Sequence, residues 1–475
     1  MPLDARVEQA PVGRRITRRQ CVHAGTLSVL GLSSGLLETL RRTQAAPTDA
    51  TQPARSCVFI FLFGGPSHID LWDMKTNAPR EIRGEFQPVA TQVPGISLCE
   101  HLPLMAQQMD KLCLLRSMTH EMNVHGPACS EIYSGRPYFG PPITDQATPE
   151  DWPSLAALTS RYLTNPSGLP SSVVLPWYTQ FNGQDRRIAG QTGGRMGEHW
   201  NPFLASGDVT RRDFRVEGLQ LPSELQGDRF HRRLALRRQV DAVAPHALAG
   251  FNETQLLERR FETAERMIAG SQQRSTFSLE ETAPTERERY GMSTFGQSLL
   301  FARQLVESGI SLVTVNWDDP SRKDKVSPHW DTHHQNFPTL KSRLCPVFDR
   351  AFATFLEDLQ DRGLLETTLV VALGEFGRTP KIGRITQNGM TEPTGRDHWP
   401  HAFTALVAGG GVRGGQVYGA TTPTGGHVAD SPVSPADLTA TLLRHLGVDP
   451  RRRWFDPVQN LTRPICNGTP IKGLG

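Results

Sequence analysis

Short apolar runs, each the length of a β-strand, recur along the chain and are separated by longer polar or amphipathic stretches. The runs are continuous rather than alternating, which is typical of strands buried on both faces of a parallel sheet. The first of them reads Cys-Val-Phe-Ile-Phe-Leu-Phe and predicts the central strand of such a sheet. The predicted strands lie at 57–63, 112–117, 173–176, 310–315, 368–373 and 403–408.

Amphipathic helices are predicted between and after these strands. The segment 295–308 has apolar residues at helical spacing and ends at Gly309, a typical C-terminal cap. The segment 435–446 begins after Ser434 and ends before Gly447 in the same way. Because strands and helices alternate, the predicted fold class is α/β, with a doubly wound, mostly parallel sheet. Further helices are predicted at 102–109 and 348–362.

The stretch 367–401 carries the clearest indication of a functional site. Its strand, 368–373, is followed after one glycine by Glu375. A carboxylate just past the carboxyl end of a buried parallel strand lies where α/β folds bind their ligands. A polar loop then returns the chain to Asp397 and His398, which suit metal binding or acid–base chemistry. We therefore expect this stretch to form part of the rim of a metal-binding active site.

Other acidic and histidine clusters also fall at the ends of predicted strands. Because the carboxyl ends of parallel strands meet at one edge of a sheet, these side chains are expected to converge there. Carboxylates and imidazoles suit Zn²⁺, Mn²⁺, Ca²⁺ or Mg²⁺, so we predict one or two divalent ions as cofactors. The clusters are His68, Asp70 and Asp73; His120 and His125; Asp318, Asp319, Asp331 and His333; Glu375; and Asp397, His398 and His401.

Spacing and charge add to this expectation. Asp331 and His333 are two residues apart, which places both side chains on one side of an extended segment. Taken singly, each acidic or histidine residue is equally well explained as a helix cap or turn residue, so the prediction depends on their convergence. Arginines close to the predicted edge are available to bind an oxyanion through two parallel hydrogen bonds. They are Arg116, Arg136, Arg378 and Arg396.

The first 55 residues are expected to be a signal and linker. Arg18 and Arg19 stand in Thr-Arg-Arg-Gln-Cys-Val, which resembles a twin-arginine export signal. The apolar run 24–37 that follows is too short for a transmembrane helix. A basic amphipathic helix is the alternative for this segment. Export would place the protein in the periplasm or at the cell surface, with no integral membrane segment after signal removal.

Beyond the signal, residues 56–465 are expected to form the main domain, with 180–280 as a helical and irregular insertion or cap and 466–475 as a tail. The net charge of +3 provides no overall field that would favour nucleic acid. The arginines of 223–270 recur with acidic partners, as on a solvated helix face. The seven cysteines include no Cys-x-x-Cys pair, which argues against a thiolate zinc site.

Five motifs of the chain are distinctive when taken together. They are Phe-Gly-Gly-Pro-Ser-His-Ile-Asp at 63–70, Tyr-Gly-Met-Ser-Thr-Phe-Gly-Gln-Ser-Leu-Leu at 290–300, Trp-Asp-Thr-His at 330–333, Gly-Glu-Phe-Gly-Arg-Thr-Pro at 374–380 and Gly-Arg-Asp-His-Trp-Pro at 395–400. Together they resemble those of one bacterial family, DUF1501, a domain of unknown function. The family looks like a branch of the alkaline phosphatase and sulfatase superfamily. The resemblance implies a three-layer sandwich with a central, mostly parallel sheet between helices and metal ions at the strand ends.

The superfamily pattern matches this chain only in part. His125, in His-Gly-Pro-Ala-Cys, stands where sulfatases carry their nucleophile, and a histidine cannot become formylglycine. The resemblance leaves it as nucleophile, metal ligand or the mark of a lost activity. Glu375 and the phenylalanine after it replace an Asp-His pair, and Asp70 is the nearest substitute for an acidic pair after the first strand. The remaining ligand positions are matched by Asp331, His333 and His398.

The hypothesis that follows is an exported, metal-dependent hydrolase of phosphate or sulfate esters, acting on a small molecule or a polysaccharide. The alternative is a non-catalytic exported binding protein that keeps the fold. In the hydrolase hypothesis, the metal ligands are Asp331, His333, Glu375 and His398, supported by Asp70 and Asp397; the catalytic residues are His125 and Arg378; and the substrate is bound by Arg116, Arg136 and Arg396.

Overall fold

The structure, a computed structural model, describes residues 56–474 except for 141–145, 181–186, 220–227, 244–251, 325 and 387–390. The predicted signal and linker therefore lie outside the described residues. The strands are β1 Ser56–Phe61, β2 Pro88–Ala90, β3 Ser97–Cys99, β4 Leu112–Met118, β5 Ser172–Leu175, β6 Phe203–Leu204, β7 Leu312–Asn316, β8 Thr368–Leu373, β9 Gly377–Arg378, β10 His398–Trp399, β11 Phe403–Gly409, β12 Gln416–Tyr418, β13 Ala420–Thr421, β14 Val428–Asp430, β15 Arg453–Asp456 and β16 Leu461–Pro464.

Eight of these strands form one sheet, in the order β12-β4-β11-β8-β1-β7-β5-β6. β1 lies near the centre, where Val58 faces Val313 of β7 on one side and Val370 of β8 on the other. β11 runs antiparallel to both of its neighbours, β4 and β8, and the other neighbouring pairs are parallel. A mostly parallel central sheet with β1 in its interior is therefore confirmed.

Apolar side chains cover both faces of the sheet, which explains the continuous apolar runs in the sequence. Along β1, Val58 and Ile60 belong to one hydrophobic cluster, whereas Phe59 and Phe61 belong to another. The first cluster includes the helices Thr294–Glu307 and Cys345–Asp361. The second includes His125–Ser134, Leu155–Tyr162 and Pro435–His445. The sheet thus lies between two helical layers, and the predicted three-layer α/β sandwich is confirmed.

The helices follow the predicted alternation, with one clear difference. The segment 102–109, predicted as one helix, is a single turn at Pro103–Ala106 followed by a 3₁₀ turn. The α-helices are His68–Leu71, Arg80–Arg83, Pro103–Ala106, His125–Ser134, Leu155–Tyr162, Asp228–Val243, Asn252–Ala269, Ser271–Thr276, Pro284–Tyr290, Thr294–Glu307, Asn336–Thr339, Cys345–Asp361 and Pro435–His445. The 3₁₀ helices are Met109–Lys111, Gly194–Met196, Glu198–Trp200 and Pro320–Lys323, and Leu340–Leu344 is a π-helix.

The last described residues pack against the core. The residues that we expected to form a tail bring Cys466, Ile471 and Leu474 into the second hydrophobic cluster. Among the described residues, no helix combines the length and the apolar character needed to cross a bilayer.

Candidate metal centre

Loops at the carboxyl edge of the sheet bring distant polar side chains together. Asp331 and His333 lie in the connection after β7, and Glu375 follows β8 by two residues. His398 lies on β10, which pairs with β9 immediately beyond that edge. His125 is the first residue of the helix that follows β4. The edge is the place where a mostly parallel sheet positions its ligands, so the topology itself brings these residues together.

Three atoms at this edge form a nearly equilateral triangle. Asp331 Oδ1 lies 3.0 Å from His333 Nε2 and 3.1 Å from His398 Nε2, and the two imidazole nitrogens are 3.1 Å apart. All three side chains are buried. In a tetrahedral zinc site, metal–ligand distances near 2.0 Å place neighbouring ligand atoms about 3.3 Å apart. The triangle therefore has the size of one face of such a site.

The outer nitrogen of each ring determines what faces the triangle. His398 Nδ1 lies 2.7 Å from the carbonyl oxygen of Asn123, which accepts, so this nitrogen carries the proton. His333 Nδ1 lies 2.9 Å from Thr391 Oγ1 and 3.6 Å from Asp397 Oδ1, and a proton on it satisfies both oxygens. When a ring is neutral and carries its proton on Nδ1, its Nε2 directs a lone pair into the triangle. Lone pairs this close repel one another unless a cation lies between them, so the donor set fits a divalent ion.

His125 lies beside the triangle with both ring nitrogens turned towards carboxylates. Its Nε2 is 3.0 Å from Asp331 Oδ2, and its Nδ1 hydrogen-bonds to Glu375 Oε1. Burial lowers the pKa of His125, but the two carboxylates outweigh it and raise the pKa to about 9. Both nitrogens therefore carry protons at neutral pH and donate. The rings of Phe63 and Phe376 hold the imidazole, with centroids 5.0 and 5.1 Å away.

Electrostatics keep the triangle in the state that a cation requires. Burial, followed by the charge on His125, lowers the pKa of His398 to about 3, which leaves this ring neutral. Burial opposes ionisation of Asp331, but the charge of Arg378, followed by that of His125, holds the pKa of that carboxyl well below its usual range. A carboxylate and neutral imidazole nitrogens are the forms in which these side chains bind metal.

Arg378, predicted to be catalytic, directs its donors to acceptors of the protein. It is fully buried and donates to the backbone oxygens of Gly64, Gly65 and Arg396 and to Asp331 Oδ1. Its position therefore fixes Asp331 and the turn after β1. These contacts hold the guanidinium against protein acceptors, and the catalytic role of Arg378 stays a prediction.

Glu375 lies on the far side of His125 from the triangle. Its carboxylate accepts the backbone N–H of Gly64 at 3.0 and 3.1 Å, in addition to the bond from His125. The four side chains whose ligand atoms lie within 4.8 Å of one another do not include it; they are His125, Asp331, His333 and His398. Asp397, also predicted as a ligand, backs His333 and accepts the backbone N–H of His398 at 2.8 Å.

Asp70 and Arg396, predicted to bind metal and substrate, form a buried ion pair with each other. Arg396 donates to both carboxylate oxygens at 2.8 Å. Ser67 and Asn336 donate to the same carboxylate at 2.6 and 2.8 Å. The oxygens of Asp70, predicted as a metal ligand, therefore accept from protein donors, and Asp70 is not one of the four described side chains whose ligand atoms lie close together.

The two remaining arginines also contact the protein. Arg116 makes two hydrogen bonds to the backbone oxygen of Trp72, at 3.0 and 2.6 Å. Arg136 donates to a backbone oxygen, and its guanidinium lies 5.0 Å from the ring centroid of Trp152. Both groups hold loops in place, so the substrate-binding role predicted for them has no support in these contacts.

Comparison with known proteins identifies the family. The sequence matches the family model described as "Protein of unknown function (DUF1501)" over residues 54–474. The chain belongs to the DUF1501 family. This confirms the resemblance of its motifs, and no curated protein matches the sequence.

Several solved structures are similar to this DUF1501 chain, all at low sequence identity. A sulfatase from Pseudoalteromonas sp., PsFucS1, is 13% identical with a TM-score of 0.35, and the match covers 87% of this chain and 70% of the sulfatase. Alkaline phosphatase from the Antarctic bacterium TAB5 is 10% identical with a TM-score of 0.37, covering 83% and 99%. A phosphonate monoester hydrolase from Silicibacter pomeroyi is 11% identical with a TM-score of 0.34, covering 83% and 73%.

Two residues that orient the imidazoles of this DUF1501 chain could not be found from its sequence. Asn123 acts through its backbone carbonyl, which any residue would supply, so no side-chain signal exists. Thr391 lies in the polar loop before the Gly-Arg-Asp-His motif and has no spacing that relates it to His333. Only the folded chain shows that both contact the outer nitrogens of these imidazoles.

Proposed function

We propose that this protein is an exported, metal-dependent hydrolase of phosphate or sulfate esters. The observation that supports the proposal most strongly is the triangle of Asp331 Oδ1, His333 Nε2 and His398 Nε2, with sides of 3.0, 3.1 and 3.1 Å. Neutral imidazoles with protons on their outer nitrogens have no proton to share with Asp331 Oδ1, which accepts its hydrogen bond from Arg378. A divalent ion held there would act as a Lewis acid towards a phosphoryl or sulfuryl oxygen.

The surrounding residues prepare the site for that ion. Asn123 and Thr391 orient the two imidazoles, since each contacts the nitrogen that faces away from the triangle. Arg378 fixes Asp331 and keeps its carboxyl ionised. Phe376 covers His398, with ring centroids 4.3 Å apart, and limits the access of water from that side. A dry, fixed site strengthens electrostatic stabilisation of the transition state.

The attacking group in this proposal is water. A side-chain nucleophile needs a free lone pair, but both nitrogens of His125 face carboxylate oxygens. His125 therefore acts by its position rather than by attack on phosphorus or sulfur. Hydrolysis would proceed without a covalent enzyme intermediate, and stereochemistry at a chiral phosphorus would invert.

The test combines metal content with turnover. Purified protein is dialysed, analysed for bound elements, and assayed with an aryl phosphate and an aryl sulfate. We expect one equivalent or more of a divalent ion and release of phosphate or sulfate. His333→Gln and His398→Gln should lose both the ion and the turnover. His445→Gln is the control and should keep both, because His445 is a buried histidine outside the metal-type cluster that contacts the backbone oxygen of Ser56. Protein without ion and without turnover would refute the proposal.

A second candidate is a non-catalytic protein in which the ion is structural. It is favoured by the burial of the four cluster side chains and by the engagement of all four predicted oxyanion-binding arginines with protein groups. In that case the ion is present, its removal lowers the melting temperature, and neither ester is turned over at any pH.

The export part of the proposal is supported by the twin-arginine motif at Arg18 and Arg19. Replacing both with lysine removes the guanidinium pair but keeps the charge. We expect the native chain to appear outside the cytoplasm and the Arg18→Lys/Arg19→Lys chain to remain inside, as measured by cell fractionation. Equal distribution of the two chains would refute this part alone.

A further inference from the structure

The two oxygens of Asp331 have different neighbours. Oδ1 belongs to the triangle, whereas Oδ2 faces His125 Nε2 at 3.0 Å. On its other side, the same imidazole ring hydrogen-bonds through Nδ1 to Glu375 Oε1. His125 thus separates two buried carboxylates, of which only Asp331 takes part in the triangle.

We propose that the imidazole of His125 occupies the place of a second cation between Asp331 and Glu375, so that the centre takes a single ion. The inference rests on the proposed function for the first ion, at the triangle. It assigns His125 neither as a ligand nor as a nucleophile, although its sequence position suggested both.

The direction of the ring nitrogens supports this assignment. Each nitrogen faces a carboxylate oxygen, which only accepts hydrogen bonds. A lone pair at Nε2 or Nδ1 would therefore face another lone pair. A ligand or a nucleophile needs such a lone pair, whereas a group that replaces a cation needs donors on both sides, which this ring supplies.

The charges around the ring explain why a cation is needed there. Arg378 contacts Asp331 and supplies one positive charge. The polar partners that the structure shows for the Glu375 carboxylate are the backbone N–H of Gly64 and His125. A buried carboxylate without an opposite charge is strongly unfavourable, so removal of the imidazole leaves a site that attracts a cation.

Packing keeps the ring in this place. The rings of Phe63 and Phe376 pack against it at tilted angles with centroids 5.0 and 5.1 Å away, and His398 meets it edge-on at 4.3 Å. These neighbours leave the imidazole little room to rotate towards the triangle. If the ring is deleted, these neighbours enclose a cavity lined by Asp331 Oδ2 and Glu375 Oε1. Such a cavity suits a hydrated Mn²⁺ or Mg²⁺ ion or a free imidazolium ion.

The experiment counts cations in the full chain with and without the ring. Mn²⁺ stoichiometry is measured by equilibrium dialysis and electron paramagnetic resonance, and imidazole binding by titration calorimetry. We expect one Mn²⁺ per wild-type chain. In His125→Ala we expect the first-ion affinity to fall by no more than about 100-fold, and in addition we expect either a second Mn²⁺ or one imidazole per chain. Circular dichroism confirms that the variant is folded.

The double variant His125→Ala/Glu375→Gln provides the matched control. It removes the carboxylate that needs a partner, so it should fold at least as well as His125→Ala and should bind neither the second Mn²⁺ nor imidazole. Loss of the first ion by more than about 100-fold in His125→Ala would show that His125 is a ligand and overturn the inference. A folded His125→Ala that takes up no added cation would overturn it as well.

The two proposals fail in different ways. Absence of every divalent ion from the wild-type chain, by elemental analysis and by Mn²⁺ titration, removes the proposed function. The role of His125 is tested separately, by whether His125→Ala takes up imidazole and whether the double variant fails to do so. This test does not depend on whether the triangle binds its own ion.

Discussion

The backbone N–H of Gly64 lies 3.0 and 3.1 Å from the two carboxylate oxygens of Glu375, although the residues are 311 positions apart. Gly64 follows β1 and Glu375 follows β8, so the contact joins the ends of two adjacent central strands. It also brings the turn after β1 against the segment that carries Asp331. A Cβ on Gly64 would lie 2.3 Å from the backbone nitrogen of Asp331 and 2.7 Å from the carbonyl carbon of Trp330.

We expect Gly64→Ala to be strongly destabilising and to abolish ion binding. Gly64 has a φ of +109°, which side chains rarely adopt, and the clash involves backbone that cannot rotate away. The expected loss is about 3–5 kcal/mol of the free energy of unfolding, measured with denaturant. Gly363→Ala is the control, since Gly363 has a φ of +67° but open space around it, and should cost only about 1–2 kcal/mol. Equal effects would mean that the close approach at Gly64 does not matter.

Asp70→Asn separates stability from metal binding. The substitution leaves the buried guanidinium of Arg396 without its partner, so we expect a loss of about 3–5 kcal/mol in the free energy of unfolding. Ion content, measured by elemental analysis on folded protein, should remain that of the wild type. Asp331→Asn is the matched comparison and should lose the ion. Loss of the ion from folded Asp70→Asn would instead support the prediction that Asp70 is a metal ligand.

His120 connects two parts of the site through its two ring nitrogens. Nε2 lies 2.5 Å from the backbone oxygen of Glu375, and Nδ1 accepts the backbone N–H of Met122 at 3.0 Å, one residue before Asn123. His120→Gln keeps a donor where Nε2 contacts the Glu375 backbone oxygen. His120→Asn keeps an acceptor where Nδ1 contacts the Met122 N–H. Because the Asn123 carbonyl sets the tautomer of His398, ion affinity should fall about tenfold in His120→Gln and less in His120→Asn. Competition with a chelator measures the ion affinity of both variants. A larger loss in His120→Asn than in His120→Gln would mean that the contact with the Glu375 backbone oxygen matters more for ion binding than the contact with Met122.

The lowered pKa of His120 makes the free energy of unfolding depend on pH. Burial lowers the pKa of His120 from 6.5 to about 4. A group whose pKa is lower in the folded state binds its proton preferentially in the unfolded chain. Its contribution is therefore fully present above pH 6.5 and is lost as the pH falls from 6.5 to 4, to a total of about 3 kcal/mol. His120→Asn should flatten this part of the curve of unfolding free energy against pH, and an unchanged slope would contradict the assignment.

The sheet could be predicted because its central strands are buried on both faces and therefore read as unbroken apolar runs. The edge strands Phe203–Leu204 and Gln416–Tyr418 could not, since they are only two and three residues long and are partly exposed. Their position depends on pairing with β5 and β4 rather than on their own composition. Local sequence thus determined the middle of the sheet, and tertiary pairing determined its borders.

For the site, the convergence could be predicted but the partners could not. Asp331, His333 and His398 come together because strand ends share one edge. Asp70 also follows a strand, yet it pairs with Arg396, 326 residues away, at 2.8 Å. No local pattern distinguishes a carboxylate that will face a cation from one that will face a guanidinium, because that choice depends on which loops lie opposite each other.

The reversed direction of β11 has a consequence for the connection that carries His398. A parallel strand beside β8 would have required the chain to travel back along the whole sheet, through a crossover of a dozen or more residues, before it could begin. Because β11 starts at the edge where β8 ends, the hairpin of β9 and β10 can feed straight into it, with His398 five residues before Phe403. One inverted strand therefore lets the connection between Leu373 and Phe403, which carries His398, stay at this edge of the sheet instead of travelling back along it.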